Sequence, residues 1–99
     1  MTKKILNMNW KAIFSLETFE KLGQPKTVRT RIYNIMLAAI ASAGVNERAL
    51  SVNSLLENCR YDKNAKSGCE LSIFGNKVRG LGVIGQDVIL MIFKHYKLK

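Results

Sequence analysis

Ninety-nine residues with a hydrophobic share of 47% make one folded domain with a single modest core, and exclude two independent ones. With 16 Lys and Arg against 7 Asp and Glu, the formal charge is +9, a balance that favours an anionic partner, nucleic acid first, anionic membranes and acidic proteins after it. One histidine, scattered carboxylates and the lack of a P-loop, a nucleophile elbow or metal-ligand spacing argue against an enzyme, and nothing calls for a cofactor or a metal.

In chain order, residues 1–23 carry Leu6, Trp10, Phe14, Phe19 and Leu22 at a ragged helical spacing, with Ser15 able to cap a short second piece. Gly23 ends this segment and Gln24-Pro25 restarts the chain, so residues 1–24 read as a helical extension on a core of residues 25–99. Residues 27–43 predict the central helix: Val28, Ile32, Ile35, Met36, Ala39, Ile40 and Ala43 follow the i, i+3, i+4 rule, and Gly44 closes it. Its second half is apolar all round, with Leu37, Ala38 and Ala41 away from the main stripe. A covering element is therefore expected there, either the N-terminal helix or a second copy in a homodimer.

Residues 45–51 suit a connector or a brief edge strand, and Ser51 is expected to cap a helix over 52–59. The polar run 60–67 reads as a basic turn, after which Ser67-Gly-Cys-Glu70 matches a capping box and predicts a second helix. Leu71, Phe74, Val78 and Leu81 would be its buried stripe, and Ser72, Asn76 and Arg79 would share a neighbouring face. Those three suit base reading, because Arg pairs with guanine, Asn with adenine and Ser with either; a solvated face is the plain alternative. Arg60, Lys63, Lys66 and Lys77 are the expected phosphate contacts. Gly85-Gln86, between residues 81–84 and 87–93, predicts a type II′ hairpin, a wing whose tip Gln86 and tail Lys94 and Lys97 add contacts. His95 belongs to the tail, and Cys59 and Cys69 indicate thiols rather than a disulfide or a zinc site.

A different fold follows if Gly75-Asn76 is a turn: residues 70–74, 77–84 and 87–96 become a three-stranded antiparallel meander packed on helices, an α+β fold, and Ser72, Asn76 and Arg79 part company. The backbone at Gly75 decides between the two.

The run SVNSLL, the basic turn, SGCELSIFGNKVRGLGVI and the short hairpin resemble winged helix-turn-helix domains of small bacterial, plasmid and phage regulators, over roughly residues 28–96. The resemblance implies a mainly α fold with a C-terminal β-hairpin, duplex DNA bound with the second helix in the major groove, and the wing against the backbone or minor groove. The expected function is sequence-specific or semi-specific binding of double-stranded DNA by a small transcriptional or replication regulator. The alternatives are a basic inhibitor or assembly factor docking on an acidic protein, and RNA binding through Tyr33, Tyr61 and Tyr96. No export signal or membrane span is expected, which places the chain in the cytoplasm.

Overall fold

A computed structural model describes the backbone of residues 3–65 and 68–97, and the side chains of residues 4–64 and 70–96. The architecture is α+β: α1 (Lys3–Leu6), a 3-10 helix (Trp10–Phe14), α2 (Leu16–Lys21), α3 (Lys26–Ser42), α4 (Val52–Glu57), a three-stranded antiparallel sheet of β1 (Cys59–Ala65), β2 (Gly68–Ile73) and β3 (Asn76–Lys77) in that spatial order, and α5 (Gly82–Lys97).

The first half folds as its local signals direct. Ser15 Oγ accepts from the Thr18 N–H at 3.2 Å and caps α2; Gly23 leaves it at φ +71. Pro25 sits at the N-cap of α3 with φ −66, and Gly44 follows the helix at φ +75. Ile32, Met36 and Ile40 bury one stripe of α3, while Ala38 and Ala41 stay exposed and Leu37 is half-buried against the core. Ser51 Oγ accepts from the Ser54 N–H at 3.1 Å to open α4.

Trp10 ties these pieces together. Fully buried, it stacks on Tyr33 of α3 with centroids 5.6 Å apart and meets Phe14 edge-on at 5.5 Å. Its Nε1 donates to the Glu47 carbonyl at 3.0 Å, and its backbone N–H donates to the Leu50 carbonyl at 2.8 Å. Asn9 Nδ2 reaches the Arg48 carbonyl at 2.9 Å, and Lys11 Nζ pairs with the Glu47 carboxylate at 2.8 Å, a contact that holds the Lys11 ammonium above its ordinary pKa. The 45–51 connector is thus stitched to the N-terminal segment.

The second half departs from the winged-helix expectation. Cys59, expected to end the helix before it, and residues 60–65 of the expected basic turn form β1, because Cys59 and Tyr61 alternate with exposed Arg60 and Asp62. Residues 68–73, expected to begin a helix, form β2, with Leu71 and Ile73 buried and Glu70 and Ser72 on the opposite face. The proposed cap Ser67 lies outside the described residues, and Glu70 pairs with Lys77 Nζ at 2.9 Å instead of capping. Phe74 and Gly75 make a two-residue turn at φ +48 and φ +79, the positive signs that a type I′ hairpin imposes, and Ile73 faces Asn76 across it. The turn that the α+β alternative required is present, one residue earlier than expected, but its strands lie over 59–77 rather than 70–96.

The C-terminal hairpin is likewise replaced: Gly85-Gln86 lies within α5. Leu81, Val88, Ile89, Ile92 and Phe93 are buried at helical spacing, an arrangement in which one face of a helix serves the whole apolar run. Phe93 meets Phe14 at 6.5 Å, and Tyr96 Oη lies 2.9 Å from Thr18 Oγ1, which ties the end of α5 to α2.

Gly75 offers a test by sign. A Cβ there meets nothing within 4 Å, so Gly75→Ala carries only the left-handed backbone penalty and should lower stability by about 1–2 kcal/mol in urea unfolding. A helical Gly75 would give the opposite result, a gain of about 1 kcal/mol.

Candidate nucleic-acid interface

Between β3 and α5 the chain runs through Val78, Arg79, Gly80 and Leu81. Val78 and Leu81 are buried and act as inward plugs, and the Val78 N–H donates to the Leu71 carbonyl at 2.8 Å. Lys77, Arg79 and Gly80 are left exposed. Arg31 of α3 closes the other side, its Nη2 donating to the Gly80 carbonyl at 3.1 Å. A short basic ridge is thereby bolted between α3 and α5.

Grooves flank the ridge. The first, about 440 Å³, runs between the outer side of α3, with Asn34, Ala38 and Ser42, and the residues Asn76, Lys77 and Arg79. The second, about 350 Å³, lies between the same Lys77 and Arg79 and the start of α5, at Gly82, Val83 and Gln86. Gln86 Oε1 is buried there without a hydrogen-bond partner among the described residues. Arg79 makes no ion pair among the described residues, whereas Lys77 is held by Glu70. Arg79 is therefore the ridge's uncompensated charge.

Of the three expected base readers, two come together. Asn76 and Arg79 line the first groove, Asn76 donating from Nδ2 to the Phe74 carbonyl at 3.1 Å. They do so across a strand and a loop rather than on one helical face. Ser72 is half-buried on β2, in a cross-strand row with Arg60 and Lys77, and does not line that groove. Of the expected phosphate contacts, Arg60 and Lys63 are exposed on β1, Lys77 stands on the ridge, and Lys66 lies outside the described residues.

Gln86, expected at a wing tip, is a helical residue of the second groove. Lys94 sits further along α5, beside Arg60 at the rim of an apolar recess lined by Cys59, Leu71, Leu90 and Phe93. The side chain of Lys97 lies outside the described ones. Arg29, basic in sequence, turns inward: its Nε donates to the Phe14 carbonyl at 2.7 Å and its guanidinium lies over Tyr33, 4.6 Å from the ring centre.

Asn34 and Ser42 were not singled out from the sequence. A signal was available, since residues 34, 38 and 42 recur at i, i+4, i+8 on the side of α3 away from Ile32, Met36 and Ile40. Among the described residues no group of His, Cys, Asp and Glu could hold a metal, and no helix is long and apolar enough to cross a membrane. No family model, curated protein or solved structure matches the chain.

The Arg31 contact fixes the ridge, so Arg31→Ala should accelerate amide hydrogen exchange across residues 79–82 and lower stability by about 1 kcal/mol. Arg79→Ala, on the solvent side, should change stability by less than about 0.5 kcal/mol.

Proposed function

We propose that this chain binds double-stranded DNA, with sequence-specific or semi-specific readout from the ridge, in the manner of a small transcriptional or replication regulator. The observation that carries the reading is the placement of exposed Arg79, which has no ion pair among the described residues, with Asn76 along a groove that also offers Asn34 and Ser42. Guanidinium, amide and hydroxyl groups are the side chains that read base edges. Arg60 and Lys63 on β1 supply charge for the phosphates. The net charge of +9 attracts the polymer whatever its sequence.

Duplex is favoured over single-stranded RNA by the state of the tyrosines. Tyr33 is stacked on Trp10 and covered by Arg29, Tyr61 is half-buried in the recess beside Leu71, and Tyr96 is tied to Thr18 with His95 edge-on to its ring, so none of the three is an open platform for base stacking. A second reading, a basic module docking on an acidic protein, rests on the apolar recess of Leu90 and Phe93 with Arg60 and Lys94 at its rim.

Fluorescence anisotropy with a mixed-sequence duplex tests the proposal. The log of the binding constant should fall linearly with log salt, with a slope of about −0.9 per phosphate neutralised. Arg79→Ala and Asn76→Ala should each cost about 1–3 kcal/mol at preferred sites and flatten discrimination, while Arg60→Ala and Lys63→Ala weaken all sites alike. Salt-insensitive binding, or identical behaviour of the two pairs, would overturn it.

A further inference from the structure

Val83 and Ile84 are the most exposed large hydrophobic side chains among the described residues, at 65% and 77% of their full accessibility. They stand next to each other in the first turn of α5, immediately after Gly82. Two adjacent branched aliphatic groups on a helix, projecting into solvent, contribute nothing to the core that Leu81, Val88 and Ile89 build from the same segment. Such an exposed pair calls for an occupant.

The surroundings say which. Val83 lines the second groove together with Lys77 and Arg79, so it borders the basic ridge directly, and Ile84 follows it in the chain. No acidic residue lies in the first turn of α5, and Glu70, the carboxylate in that groove, is held by Lys77 at 2.9 Å. An apolar tip with a cationic collar fits a polyanion with apolar material behind its charges. Duplex DNA and a phospholipid surface both meet that description. The other side of the ridge decides for DNA: Asn34, Ser42 and Asn76 set amide and hydroxyl groups beside Arg79 in one groove, the combination of side chains that reads base edges.

We propose that Val83 and Ile84 form a wedge that enters one base step of the bound duplex, partly unstacks it and kinks the DNA. The proposal rests on the DNA reading above and states how that site engages its partner. Aliphatic side chains inserted between base pairs kink duplexes by about 20–90°, and they act from rigid elements flanked by basic groups. Here the rigid element is α5, anchored by Val88, Ile89, Ile92 and Phe93 in the core, and Arg79 is the flanking base. Asp87 is exposed one turn further along α5, where its charge would face phosphates if the helix went deeper, so only the tip enters. Flexible pyrimidine–purine steps and mismatches, which unstack at least cost, are the favoured entry points.

The test uses the full chain and a mixed-sequence duplex carrying a fluorescence donor and acceptor at its two ends, with anisotropy read in parallel. The expected result is a rise in energy transfer at saturation, and tighter binding to the same duplex with a central mismatch. The Val83→Ser/Ile84→Ser double variant should still bind through the ridge, within about tenfold of the parent affinity. It should leave the duplex straight and show no preference for the mismatch.

Arg79→Ala should do the reverse, weakening binding while the complex that forms stays bent. Should the double variant fold poorly by thermal melting, Val83→Thr and Ile84→Ala singly carry the same comparison. Salt-dependent binding to a duplex that stays straight, or equal bending by the double variant, would overturn the wedge and leave the DNA reading standing. Absence of binding at low salt would remove both. Loss of binding to phosphatidylglycerol vesicles in the double variant, with DNA bending unchanged, would assign the tip to a membrane and overturn the proposal.

Discussion

The second half of this chain is governed by a backbone constraint between Ile73 and Gly82. Phe74, Gly75, Gly80 and Gly82 all have positive φ, a region closed to helical L-residues, so no helix can run through this segment. The chain must reverse at Phe74–Gly75, pair for two residues, pass through residues 78–81 and only then start α5. Each left-handed residue redirects the chain, and between them Val78 and Leu81 fall inward while Lys77 and Arg79 fall outward. The basic ridge is a by-product of that path. A smooth helix over the same residues would have put Arg79 one turn behind a buried stripe, with no groove on either side.

The ridge has meaning only on a rigid base, and the first half supplies it. Trp10 is buried with its indole N–H satisfied by the Glu47 carbonyl, its ring stacked on α3 and its backbone paired to residue 50. Leaving a buried donor of that kind unpaired costs about 1–3 kcal/mol, so the N-terminal segment, the connector and α3 hold one another in register. Phe14 carries the same cluster to Phe93 of α5. Both walls of the ridge, α3 through Arg31 and α5 through its buried stripe, therefore belong to one packed core.

Where local chemistry decides, the sequence was readable. Ser15 and Ser51 cap, Gly23 and Gly44 terminate, and the 3.6-residue period of α3 survives because each is settled within a turn or two of chain. The strands were not readable: β1 offers Cys59 and Tyr61 as inward residues beside four polar or charged ones, and their burial depends on β2 and α5 arriving from further along the chain. For residues 81–93 an apolar run with two glycines suited a strand hairpin and a helix equally by composition, and burial of a single face resolves it as α5. The site shows the same division. Side-chain chemistry singles out Asn76 and Arg79, which line one groove through a turn and a loop, and Ser72 parts from them where helical phase gives way to strand alternation. Asn34 and Ser42 could not be tied to them without knowing that β3 lies beside α3.

On the proposed reading the ridge meets the duplex, with Arg60 and Lys63 of β1 beside it, and the recess at Leu90 and Phe93 does not. Backbone amide chemical shifts followed by NMR during titration with a short duplex test it most directly. The largest changes are expected at Asn34, Asn76, Arg79, Val83 and Ile84, with smaller ones at Arg60 and Lys63. Changes confined to Arg60, Leu90, Phe93 and Lys94, or spread evenly over every exposed lysine, would contradict it.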